Sequence, residues 1–200
     1  MMRRHCFLFA LTFVILFNGC YGNDSHGASP PVPADPVVAS TRSAEKIATR
    51  NNAVSLLFQL VEDEKSLSLL LVVKGNRPDV AILVKAISTT ASEAVKNLQA
   101  LAQADPSLNL HAVDLPTGEV AARAAIAKTK THQLLLSTGD NFEFALLLTQ
   151  TEALSYGYNL AQTADDNSTD PAQRQTLSAL RDTMKAQYQQ VIAFIRAPAK

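Results

Sequence analysis

The chain has 200 residues, with 18 basic side chains matching 18 acidic ones and 47% hydrophobic residues. Interspersed, balanced charge excludes the basic stripe of a nucleic-acid binder and the polybasic patch that holds a protein to an anionic lipid surface. The length suits one good hydrophobic core more readily than two.

The opening "MMRRHCFLFALTFVILFNGC" sets Arg3 and Arg4 before an apolar run from Cys6 to Phe17. About a dozen apolar residues are too few to span a bilayer, so residues 1–19 read as a signal peptide. The run ends in "FNGC", which resembles the lipobox of bacterial lipoproteins and implies lipidation of Cys20. Ordinary cleavage after Gly22 is the alternative. Cys6 leaves with the signal, so the mature chain has Cys20 alone and no internal disulfide. With Tyr21 next, the expected location is the periplasmic face of the outer membrane, the alternative a secreted or soluble periplasmic protein. The expected partners are the membrane, through the N-terminal lipid, and an envelope protein, with no nucleic acid and no cofactor.

Residues 20–42 carry Pro30, Pro31, Pro33 and Pro36 among small and polar side chains and read as a flexible tether. The folded domain is expected over 43–197. Its first helix is predicted from Ser43 to Lys74, stopping at Gly75 and Pro78, with a stripe of Leu57, Leu60, Glu64, Leu67 and Leu71. Glu64 thus falls in the stripe, while Glu62 and Asp63 read as surface acids. A second helix, Pro78 to Ala104, aligns Val80, Val84, Ile87, Ala91, Val95, Leu98 and Leu101 on one face.

A third helical region begins near Thr117 or Glu119 and is interrupted at "STGDNFEF", where Gly139 is expected to end one segment and Asp140 or Asn141 to cap the next. The second segment reaches about Ala164 with Phe144, Leu147, Leu148, Thr151, Leu154, Tyr158 and Ala161 on one face. The fourth helix opens with Asp170 at N-cap, Pro171 at N1 and Gln173 at N3, as in a capping box, and runs to about Arg196. Its stripe is Leu177, Leu180, Met184, Tyr188, Val191 and Ile195. The expected fold class is all-α, an antiparallel four-helix bundle with a broken third helix.

The span from Glu64 to Leu98, with "GDNFEFALLLTQTEAL" and "TLSALRDT", resembles a bacterial exported ferritin-like family of unknown function, over about residues 45–195. The resemblance implies a Glu on the first helix sixteen residues before the second helix's first Val, as Glu64 and Val80 stand here. It also implies three histidines, at positions held here by Ala91, Leu154 and Thr183. This chain is therefore expected to be a degenerate member, without those ligands. Ferritin-like metal sites use Glu-x-x-His pairs because residues three apart share a helix face. No glutamate of this chain has a histidine three residues on.

A site built otherwise from Glu64, Glu93, Glu143 and Glu152 with His132 is the alternative, although Glu93 and Glu152 are as easily placed at helix edges facing water. His132, His111 and His26 read as surface residues. There is no nucleophile elbow and no glycine-rich phosphate loop. The leading expectation is a non-catalytic binding or structural module, not an enzyme. The alternatives are a metal-binding or storage protein around Glu64, and a module that takes a helix in an apolar groove.

Overall fold

The computed structural model describes residues 36–74, 77–111 and 115–196, which form helices and their connections with no strand among them. The signal segment, Cys20, His26, Gly75 and the tether before Pro36 lie outside the described residues. The helices are α1 (Pro36–Glu64), α2 (Ser68–Lys74), α3 (Pro78–Ala104), α4 (Thr117–Leu136), α5 (Gly139–Asp166) and α6 (Pro171–Arg196). The all-α class holds.

Several boundaries differ from the sequence reading. Helix α1 begins at Pro36, so residues 36–42 are helical and not part of an extended tether. Residues 40–49 are exposed throughout, and Arg50 is the first to be buried. The expected single helix to Lys74 is broken after Glu64 by a tightened turn, in which Leu67 N–H bonds the Glu64 carbonyl at 3.0 Å and Leu70 N–H the Leu67 carbonyl at 3.1 Å. The break redirects α2 onto α3. Ser88 of α3 donates its hydroxyl to the Lys65 carbonyl at 2.5 Å, satisfying a backbone acceptor at the turn.

Gly139 opens α5 instead of closing α4, and its φ of 53° is one that glycine adopts without penalty. Thr138 is the N-cap, in place of Asp140 or Asn141. At α6, Asp170 accepts the Ala172 N–H at 2.9 Å, as a capping residue should. Gln173 does not complete a capping box; its side chain is buried and turned toward α3.

Helix α1 packs on α3 and α5, α5 on α6, and α3 on α6, so the four long helices meet pairwise around a common core. Neighbours run antiparallel. Gln187 of α6 meets Thr90 of α3, while Gln173 near the start of α6 meets Asp105 at the end of α3. The core is hydrocarbon: Val54, Leu57 and Val61 of α1, Val80, Val84 and Leu98 of α3, Phe142 and Leu146 of α5, and Leu177 and Val191 of α6 are 0–1% exposed. Each such side chain contributes about 1.5–3 kcal/mol on burial, more than helix propensity supplies.

Helix α4 stands outside this arrangement and touches α5. Arg123 lies over Tyr156 and Lys130 pairs with Glu152, so α4 runs antiparallel to α5. The expected broken third helix is therefore a helical hairpin whose first arm lies on the outside. Of the expected face of α5, Leu147, Leu154 and Ala161 are buried. Phe144 and Leu148 are 58% and 47% exposed, whereas Phe142, Leu146, Gln150 and Ala153 face inward.

Candidate functional site

Glu64 is the last residue of α1 and the most deeply buried acid among the described residues, at 3% exposure. The stripe that puts Leu57 and Leu60 in the core carries Glu64 in with them. Its pKa is pushed up from 4.5 to about 7, chiefly by desolvation, with the Asp63 charge adding to the rise and the nearby Gln150 amide opposing it. Gln150 is close enough to exert that pull but forms no hydrogen bond with the carboxylate; both Glu64 oxygens lack a protein partner. Ionised and unpartnered, such a group costs several kcal/mol, so at neutral pH it is about half protonated and below that mainly the acid.

The carboxyl faces a cavity of about 10 Å³ that is also lined by Thr90, Ala91, Leu154, Met184 and Gln187. Gln187 Nε2 donates to Thr90 Oγ1 at 2.8 Å, leaving Gln187 Oε1 without a partner. Both amide atoms of the fully buried Gln150 are likewise unpartnered by protein. One acid and two amides thus form a polar island inside a hydrocarbon core. A space of this size admits about one water molecule and no substrate.

The other two acids of the 62–64 run open onto a groove of about 370 Å³ between α1, α4 and α5, walled by Phe58, His111, Arg123 and Tyr156. Glu62 stays at the surface, whereas Asp63 is not the surface acid expected. Glu62 accepts from Lys65 at 2.5 Å, and Asp63 is half-buried, its pKa pushed up from 3.8 to about 7 by burial and then by the Glu62 charge. Arg123 donates to Glu119 at 2.9 Å and stacks on Tyr156 with its carbon 5.6 Å from the ring centroid. His111 is exposed, its ring set edge-on to Phe58 at 5.5 Å between centroids.

The weak metal candidates are not brought together. Glu143 takes the Arg77 N–H at 2.5 Å and pairs with the Arg77 guanidinium at 3.4 Å. Glu152 pairs with Lys130, whose pKa is lowered by desolvation, and His132 is exposed. Among the described residues no group of three or more His, Cys, Asp or Glu side chains is placed to hold a metal. Of the three positions the resemblance assigns to histidine, Ala91 and Leu154 line the Glu64 cavity and Thr183 is exposed on α6.

The side chains present do not fit a ferritin-type metal. Where imidazole nitrogens would be needed stand a methyl and an isobutyl group, and the remaining oxygens belong to neutral Gln187 and Thr90. Sequence reasoning missed Thr90, Gln150 and Gln187. The visible signal was Gln150 inside the apolar run "FALLLTQTEAL"; Thr90 and Gln187 carry none, since both occur amid ordinary helix-surface residues. No protein-family model, curated protein or solved structure matches this chain.

Proposed function

We propose that this chain is a cell-envelope-anchored lipoprotein whose domain is a ferritin-like antiparallel four-helix bundle acting as a non-catalytic binding or structural module. The observation that carries this reading is the Glu64 cavity, where the one acid that a ferritin-like centre would use faces Ala91 and Leu154 in place of ligands. The topology supports the fold half of the reading. Helices α3 and α5 both run antiparallel to α1, and α4 carries the chain back between them, as the long crossover of a ferritin-like bundle does. "FNGC" at residues 17–20 and the prolines that follow support the anchor. The site is then the periplasmic face of the outer membrane, with an envelope protein as partner.

Two measurements test it. Metal analysis of the purified protein is expected to find no stoichiometric transition metal; one that is present and lost on Glu64→Ala overturns the reading. Labelled fatty acid is expected in the wild type and not in Cys20→Ser; no label in either makes the protein a secreted or soluble periplasmic one. The metal-binding alternative is favoured by the free Glu64 oxygens and opposed by the cations that already occupy Glu143 and Glu152.

A further inference from the structure

We propose that the Glu64 cavity is a built hydration site holding one water molecule, which bridges the Glu64 carboxyl to Gln187 Oε1 and exchanges with solvent through the seam between α3 and α6. The buried polar atoms without protein partners are unequal in kind. Glu64 Oε1 and Oε2, Gln150 Oε1 and Gln187 Oε1 are acceptors, against one donor nitrogen, Gln150 Nε2. The island lacks donors.

A proton on Glu64 supplies one, and a water molecule supplies two more while accepting one bond itself. The volume of about 10 Å³ matches a single water, and a cation with its own coordination shell does not fit. The rest of the wall is hydrocarbon from Ile87, Ala91, Leu154 and Met184, which offers water no competing site.

The charged neighbours point the same way. The acid next to it on the same helix, Asp63, discourages a second negative charge, and the polar groups facing it from α3, α5 and α6 are the uncharged Thr90, Gln150 and Gln187. No cation on those helices lines the cavity to hold Glu64 ionised. The site is therefore suited to a neutral acid and a neutral guest.

Access is built in as well. Thr90 and Leu180 line the inner cavity and also an open groove of about 430 Å³ on the outside, between α3 and α6. A side-chain rotation at these two positions joins the cavity to solvent, with no need to unfold a helix. Water leaves and enters on the timescale of such local motion.

The test is oxygen-17 magnetic relaxation dispersion on the full chain, paired with a high-resolution structure at pH 5. One long-lived water is expected in the wild type and in Glu64→Gln, and none in Glu64→Leu. Should Glu64→Leu fail to fold, Ala91→Leu, which fills the cavity from α3, is expected to abolish the same signal. Enlarging the seam residue in Leu180→Phe is expected to lengthen the residence time about tenfold or more. A wild type without a long-lived water overturns the proposal, as does a signal that survives cavity filling. Density that exchanges with potassium or ammonium in place of water overturns it too, and a residence time equal to the global unfolding time overturns the route.

Discussion

Gln173 Nε2 donates to Asp105 Oδ2 at 2.7 Å, joining the first turn of α6 to the residue that ends α3. The buried Arg50 of α1 reaches the same carboxylate at 3.3 Å and the Ser107 hydroxyl at 3.0 Å, so three helices are tied at one end of the molecule. Gln173 is 1% exposed, and its removal takes one hydrogen bond from Asp105, which keeps those from Ser107 and Arg50. Gln173→Ala is expected to destabilise the fold by about 1–3 kcal/mol, seen as a lower urea midpoint with an unchanged slope. A midpoint equal to wild type would mean that water replaces the amide.

The pH dependence of stability has two opposing limbs. Glu64 has its pKa raised from 4.5 to about 7, so the folded state binds more protons and stability falls as pH rises through that window. The loss is on the order of 3 kcal/mol. Half-buried Asp63 acts in the same direction with a smaller, solvent-screened effect. Asp105 works the other way: hydrogen bonds from Ser107 and Gln173, then the Arg50 charge, hold its carboxyl below 3.8, and that stability is lost as pH falls through the lowered value. Thermal unfolding is expected to be highest near pH 4 to 5, and Glu64→Leu to flatten the decline toward pH 7.5. An unaltered decline in that variant would assign it to other groups.

Gly157 is the contact point of α1, α5 and α6. A Cβ there would overlap the thioether of Met184 and approach Leu60 Cδ2 to 3.0 Å. Because Met184 also lines the Glu64 cavity, its way out is into the polar island. Gly157→Ala is expected to cost about 1–3 kcal/mol, and Gly157→Ala combined with Met184→Ala to cost less than the sum of the two changes. Additive losses in a double-mutant cycle would place the clash elsewhere.

Glu143 fastens the entry of α3 to the N-terminal part of α5 through the Arg77 backbone and guanidinium. Glu143→Ala is expected to cost about 1–2 kcal/mol and to speed amide exchange at residues 77–81 while leaving α6 protected. Uniform loss of protection in every helix would show that the contact holds the whole fold and not a local end.

The sequence by itself determined the helical class, the starts at Pro78 and Pro171, and most of the inward faces of α1, α3 and α6. Those faces are alternations of apolar and polar side chains at helical period, and burial follows from them wherever one stripe is apolar and the rest is not. Glu64 was legible for the same reason, as the one acid inside a leucine stripe.

Tertiary structure decided what depends on neighbours. Helix α5 is apolar on several sides, so its period did not choose between Phe144 and Phe142, and the core took Phe142. The turn after Glu64 has no glycine or proline to announce it; contact of α2 with α3 and the Ser88 hydroxyl on Lys65 select it. Gln173 read as a capping-box residue, and nothing singled out Gln187, Thr90 or Arg50, because a hydrogen bond between residues far apart in the chain leaves no trace in local pattern. The surroundings of Glu64, on which its protonation and the proposed water both rest, exist only once four helices have closed over it.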